Sequence, residues 1–322
     1  MKGFSIGRAM GDGFGLIARR PLSVFVWGLL MVAPMLATFG MMLPMMGDLF
    51  AELPPEGTAA EAEAAYSQAM FAKVIQFQLG SMLANIAQYV GLAVVYAAIF
   101  RAVLRPRETS FFSLRLGMDE LRVAVVGLAI GVALYAALIA VVMIGAAIGF
   151  GVWSTSETAA FAVIPVLILA AVGAAMWWMA RVSLMAPASV LYRDFAFSQG
   201  WRLGAGRGWS LFGLQIVVLL CLIAIEIVVV LIGVGAFLAL GGGATGWWES
   251  WAAADNPFEP VNGWLAANWY WAALACAVFA LVYGVLMTLA AAPFASACRQ
   301  LADGVAPEPV VAEPAGSPAP AA

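Results

Sequence analysis

Long apolar stretches separated by short charged segments dominate the chain and set its architecture before any motif does. Crossing about 30 Å of hydrocarbon takes roughly 20 apolar residues in a helix. Six stretches reach that length, near 22–46, 79–102, 123–150, 161–182, 211–239 and 267–292. The pattern predicts an all-α, polytopic membrane protein with six transmembrane helices in residues 1–301. The remainder, 302–322, is rich in Pro and Ala, cannot bury a core and is expected to be disordered. The run from Pro21 to Met46 exceeds the roughly 7–15 apolar residues of a signal peptide and lacks a small-x-small cleavage site, so it reads as an uncleaved first span.

Charge gives the spans a direction. Fourteen of the 15 basic residues fall before span 1, between spans 2 and 3, between spans 4 and 5, or after span 6; Lys73 is the exception. The other loops carry Asp48, Glu52, Glu56, Glu61, Glu63, Glu157, Glu249, Asp255 and Glu259. The positive-inside rule then predicts that both termini lie in the cytoplasm. Trp247, Trp248, Trp251, Trp264, Trp269, Tyr270 and Trp271 crowd the last outer loop, as an aromatic belt at headgroup level or as a platform for a sugar or cation.

Each odd-numbered span is preceded by a similar segment: Phe4-Ser5-Ile6-Gly7-Arg8, Phe112-Ser113-Leu114-Arg115-Leu116-Gly117, and Phe197-Ser198-Gln199-Gly200-Trp201-Arg202-Leu203-Gly204. Each even-numbered span leads into an Arg and a Pro: Arg101 with Pro106, Arg181 with Pro187, Pro293 with Arg299. The chain thus reads as three copies of an amphipathic helix plus hairpin, arranged about an axis along the membrane normal. In the first copy, 100° per residue places Ile6, Met10, Phe14 and Ile17 on one stripe and Arg8, Asp12 and Arg19 opposite, the pattern of a helix lying on the membrane. Leu114, Met118 and Leu121 form a shorter stripe in the second copy, and the third is looser.

Composition restricts the chemistry. With 64% apolar and 10% charged residues, only a bilayer serves as solvent, and a net charge of -3 with scattered Lys and Arg argues against nucleic acid as a partner. Histidine is absent, which removes imidazole-based nucleophile systems, His metal sites and His switches. Cys221, Cys276 and Cys298 are odd in number and the first two fall inside predicted spans, where free Cys behaves as a small hydrophobe, so neither a disulfide nor a metal centre is expected. Gly204-Ala205-Gly206-Arg207-Gly208 lacks the strand, lysine and ribose acid of a nucleotide motif. No catalytic residue and no cofactor are expected.

Glu226 is the one carboxylate inside a span, with Gln215 eleven residues earlier on the same ideal helical face. An acidic residue at mid-helix costs about 2.5–3.5 kcal/mol on insertion scales, so it is expected to face the bundle interior as a structural hydrogen bond or as an ion, proton or ligand site. Gln78, Ser81, Asn85 and Gln88 form one polar stripe on span 2, either glue between helices or the wall of a polar cavity shared with Glu226. Gly127-x-x-x-Gly131 and Gly145-x-x-x-Gly149 suggest close helix packing, within or between chains. Pro34, Pro44, Pro165 and Pro293 predict kinks, as curvature or as hinges. Arg19, Arg20, Arg101, Arg105, Arg107, Arg202 and Arg207 are placed to contact lipid headgroups, which makes membrane lipids the expected partners, beside a homo-oligomer or other membrane proteins.

The amphipathic segments, the stretch Arg181-Val-Ser-Leu-Met-Ala-Pro187-Ala-Ser-Val-Leu191 with Phe197-Ser-Gln-Gly-Trp201-Arg202, and the six-span layout resemble the bacterial YciC-like proteins. They are also similar to the membrane domain that precedes glycerophosphoryl diester phosphodiesterase domains. The resemblance covers 1–301 as a pattern. It implies a stand-alone inner-membrane module without the phosphodiesterase chemistry, which in that second group belongs to an appended soluble barrel. Function is therefore expected to be non-enzymatic, in membrane organisation or lipid-associated homeostasis. A secondary transporter or small-solute permease using Glu226 and the span 2 stripe is the alternative, and an intramembrane enzyme would need a second facing carboxylate or a nucleophile.

Overall fold

The computed structural model describes residues 3–51, 60–107, 111–115, 117–238 and 258–303, with isolated positions at 249, 254 and 256. The described residues are 90% helical, with no strand among them. The helices are α1 (Ile6–Arg19), α2 (Pro21–Ala51), α3 (Ala60–Leu104), α4 (Met118–Thr155), α5 (Glu157–Val182), α6 (Met185–Tyr192), α7 (Phe197–Leu203), α8 (Gly208–Phe237), α9 (Glu259–Ala267) and α10 (Trp269–Ala302).

Six segments are long and apolar enough to cross a membrane: Pro21–Asp48, Tyr66–Leu104, Met118–Thr155, Glu157–Tyr192, Gly208–Ala236 and Trp269–Ala302. They match the six apolar stretches read from sequence, with ends that differ by a few residues in α5 and α8 and a longer overrun in α3 and at the end of α10. The tail beyond Asp303 and Trp247, Trp248 and Trp251 lie outside the described residues. Trp264, Trp269, Tyr270 and Trp271 are exposed around the α9–α10 corner, with the rings of Tyr270 and Trp271 5.7 Å apart.

Burial is concentrated at the arginine-rich end. One cluster joins Val24, Trp27 and Met31 of α2 to Val95–Leu104 of α3 and Ala291–Ala295 of α10. A second joins Ala9 and Met10 of α1 to Leu184, Leu203, Leu211, Leu214 and the end of α10. Toward the opposite end α4, α5 and α8 carry few buried residues and present apolar side chains outward, as lipid-facing helices do. There Lys73 lies 3.4 Å from Asp48, so the one basic residue away from the arginine-rich end is partnered by an acid.

The three segments expected to be equivalent fold differently. α1 is a regular helix capped by Ser5, whose hydroxyl accepts from the Arg8 N–H at 3.4 Å. Ala9, Met10, Gly13 and Leu16 are its buried face, set against α10, while Phe14 of the expected apolar stripe is 47% exposed. Asp12, expected to face water, instead accepts from Arg299 Nη2 at 2.9 Å and Ser296 Oγ at 2.5 Å. Gly13 lies on the packed face, where a Cβ would make ordinary contact with Leu289 at 3.5 Å and Pro293 at 3.6 Å. The second segment forms only a single tight turn, Phe111–Ser113, and Met118 and Leu121 of its stripe are exposed. The third is the short helix α7.

Within this chain the glycine pairs on α4 do not bring helix backbones together. Gly131 and Gly145 have open space where a side chain would be, and at Gly127 and Gly149 the nearest atoms are 3.7 Å away. The close approach is between α2 and α10, at Gly28 and Gly284, where an added Cβ would overlap the carbonyls of Ala280 and Val24 respectively.

Candidate functional site

Two kinds of site emerge, an apolar cleft along α4 and a charged cavity at its base. The cleft of about 850 Å³ lies between α4 and α5 and reaches Gln215 of α8, lined by Leu134, Leu138, Gly145, Gly149, Phe150 and Ile168 among others. A second cavity of about 610 Å³ adjoins it at Leu134, Met176, Met179 and Gln215, and continues past Gly131 and Gly127 toward Tyr96 and Phe100 of α3. Gly127, Gly131, Gly145 and Gly149 of α4 therefore line apolar space, because the missing side chains leave room along one helical face. The rim residues Phe150, Val142 and Ile168 are exposed, so the cleft opens sideways.

At the arginine-rich end the α3–α4 connection is held in an unusual shape. Phe112 (φ 51°) and Ser113 (φ 58°) are consecutive left-handed residues without glycine, a conformation that costs of order 1–3 kcal/mol each. Three donors hold it. The Trp27 indole N–H donates to the Phe112 carbonyl at 2.9 Å, Arg101 Nη2 to the Ser113 carbonyl at 2.8 Å, and Arg20 Nη1 to the Ser113 hydroxyl at 2.9 Å. Trp27 and Arg101 are both buried, so these bonds are shielded from water.

Below that turn is a cavity of about 310 Å³ lined by Arg101, Arg105, Arg115, Arg122 and Arg193, with Asp119, Glu120 and the Gly117–Met118 start of α4. Arg101, 4% exposed, stands 2.5 Å from a carboxylate oxygen of Glu120, 6% exposed. Asp119 lies 3.0 Å from Arg122, 3.3 Å from Arg105 and 3.7 Å from Arg101. Arg105 also donates to the Val190 carbonyl, which ties the cavity to α6. Glu120 is held by this ion pair, while Arg101 Nε is buried without a hydrogen-bond partner among the described residues.

The residues singled out from sequence are dispersed. Glu226, expected inside the bundle, is exposed on the outer surface of α8. Eleven residues keep it on the ideal face of Gln215, but the buried residues of α8, Leu211, Leu214 and Val218, all lie in its first half, so the face that is interior at Gln215 no longer is at Glu226. Gln215 is half-buried on the apolar cleft. Asn85 and Gln88 line a separate 320 Å³ cavity with Pro34, Thr38 and Met42 of α2, where Gln88 Oε1 is buried without a partner. Ser81 donates to the Gln78 carbonyl at 3.0 Å, and Gln78 is exposed. Thus the α3 stripe faces α2 and does not meet Glu226.

Among the arginines expected at headgroups, Arg19, Arg107 and Arg202 are exposed, while Arg20, Arg105 and Arg207 are half-buried. Arg19 donates to the Gly15 carbonyl at 2.9 Å and Arg207 to the Leu203 carbonyl at 3.3 Å. Arg101 departs from the expectation: it is an interior ion-pair residue. Sequence reasoning missed Asp119, Glu120 and Arg193 as members of one site. The signal available was Asp119-Glu120 in the first turn of a span beside the densest run of arginines. Among the described residues no group of three or more His, Cys, Asp and Glu could hold a metal, and Cys221, Cys276 and Cys298 are free thiols.

Six apolar crossing-length helices, closed at a charged end and splayed at the other, define the class: a multi-pass helical membrane protein. Compared with known families, curated proteins and solved structures, the chain finds no match.

Proposed function

We propose that the chain is a non-enzymatic protein of a bacterial inner membrane, YciC-like in its six-span layout and triplicated in its sequence pattern, with both termini cytoplasmic and a lipid-associated role. Membrane lipids are its partners in this reading. The observation that carries it is the apolar cleft along α4, which opens sideways to where acyl chains would be. From Leu134 to Trp153 the cleft follows α4 for roughly 28 Å, at 1.5 Å per residue, close to the thickness of the hydrocarbon layer.

The test is native mass spectrometry of the full chain released from mild detergent. Stoichiometric retention of a lipid, reduced in Gly145→Leu and in Ala171→Phe, supports the reading. A bare protein, or retention unchanged by both substitutions, counts against it. A small-solute permease is the second reading, and it rests on the unpartnered Gln88 Oε1 in the α2–α3 cavity. In that case Gln88→Leu abolishes uptake of its solute into proteoliposomes, whereas uptake that survives the substitution rejects it.

A further inference from the structure

We propose that the cavity between α2 and α3 binds a small uncharged molecule of the amide or urea class. This deepens the permease reading, on whose cavity it rests, by naming what the cavity takes. The cavity measures about 320 Å³, near the lower end of the roughly 300–1,000 Å³ of small-molecule sites, and is lined by Pro34, Thr38 and Met42 of α2 and Ala84, Asn85 and Gln88 of α3. Asn85 is the middle residue of the span Tyr66–Leu104, and Pro34 is one of the two central residues of Pro21–Asp48. The site therefore lies at mid-span of both helices.

Its polar atoms are not satisfied by the helices that carry them. Gln88 Oε1 is buried and accepts no hydrogen bond, although a carbonyl oxygen taken out of water is unfavourable unless a donor reaches it. Asn85, one turn away on the same helical face, likewise has no hydrogen bond among the described residues. Amides on membrane helices commonly pair across a helix contact, but α2 carries neither Asn nor Gln and offers no such partner. The Thr38 hydroxyl donates to the Pro34 carbonyl at 3.0 Å, which leaves its own oxygen as an acceptor.

The same surroundings select against charge. No ionisable residue lines the cavity, and along α3 Lys73 stands about 18 Å from Asn85 and Arg101 about 20 Å from Gln88, at 1.5 Å per residue. An ion at this depth would lack a counter-charge in hydrocarbon. An amide or urea meets the need without charge. Its N–H groups donate to Gln88 Oε1 and Thr38 Oγ1, and its carbonyl accepts from a carboxamide NH2 of Asn85 or Gln88.

The experiment is saturation-transfer NMR on the full chain in a deuterated neutral detergent, titrated with propanamide and N-methylurea. The controls are butanone, which has the carbonyl without the N–H, and propanoate, which carries charge. The expected result is saturable binding of the first two, with half-saturation at least roughly tenfold higher for butanone and propanoate. The same loss is expected in Gln88→Leu and in Ala84→Phe, which fills the cavity without removing an amide. Gln78→Leu, on the same stripe but outside the cavity, is expected to bind as the parent does. Leucine suits hydrocarbon better than glutamine, so Gln88→Leu is expected to fold, and the ligand series needs no variant at all.

Butanone that binds as tightly as propanamide shows that Gln88 Oε1 needs no donor and overturns the proposal. So does the absence of saturable binding, or half-saturation unchanged in both Gln88→Leu and Ala84→Phe; the cavity then holds water alone. Uptake into proteoliposomes is read separately. Binding without uptake keeps the site and rejects the permease reading, whereas uptake that depends on Gln88 without binding of either probe rejects the amide and urea class and keeps the permease.

Discussion

Gly28 and Gly284 face each other across the α2–α10 crossing so closely that a Cβ built on Gly28 would stand 2.8 Å from the Gly284 nitrogen. The first and last spans are thereby joined backbone to backbone, at the edge of the cluster formed by Val24, Trp27 and Met31. Adding a side chain must push the helices apart, and overpacking of this kind costs typically 1–3 kcal/mol, more where backbone is the obstacle. Gly284→Val is expected to lower the unfolding free energy in detergent by at least that amount. Gly233→Ala, on an α8 stretch where a Cβ meets open space, is expected to leave stability unchanged or slightly higher. Equal stability of Gly284→Val and the parent would show that the crossing is looser than described.

The six spans were legible because a run of apolar residues about 20 long has one stable solution in hydrocarbon. The Gly28–Gly284 contact was not, because each is a lone glycine in its own helix and periodicity within a helix says nothing about a partner at the far end of the chain. The α4 glycines misled for a related reason: spacing shows that a face is small but not whether a neighbour or a cavity adjoins it. Arg101 was read from its charge and place near a span end, which the positive-inside rule uses, whereas its burial depends on Glu120 and Ser113, supplied by another element. Glu226 was read from an ideal helical face, which holds only while the helix stays in the bundle.

Arg101 and Glu120 form a buried pair, and removal of one partner leaves an uncompensated charge, typically at a cost of about 3–5 kcal/mol. Arg101→Met is therefore expected to destabilise strongly, and Arg101→Met with Glu120→Leu to lose clearly less than the two single variants together. Equilibrium unfolding of all four proteins measures the coupling. Additive losses would mean that Arg101 acts through the Ser113 carbonyl rather than through Glu120.

Asp12 and Arg299 fasten α1 beneath α10 at 2.9 Å, but both side chains are partly exposed, at 28% and 35%. Such a pair is worth about 1 kcal/mol or less once solvent screening is counted. Asp12→Asn is expected to raise amide exchange across α1 while leaving the midpoint of global unfolding nearly unchanged. A large fall in that midpoint would show that α1 docking is part of the global core and not a local unit.

Glu226 stands near the middle of α8, exposed, and has no hydrogen bond or ion pair among the described residues. In hydrocarbon a lone carboxyl is costly, about 2.5–3.5 kcal/mol on insertion scales, and nothing within the described chain offsets it. Glu226→Leu is accordingly expected to insert at least as efficiently as the parent and to unfold at the same or a higher temperature. Gly145→Leu, which fills the cleft, should not alter that result, since Glu226 does not line it. If Glu226→Leu instead lowers the unfolding temperature by several degrees, the carboxyl is held by a contact outside this chain. Crosslinking from a cysteine placed at Leu222 or Val230, with Cys221 and Cys276 first replaced by Ala, would then identify the neighbour as a second copy or another membrane protein.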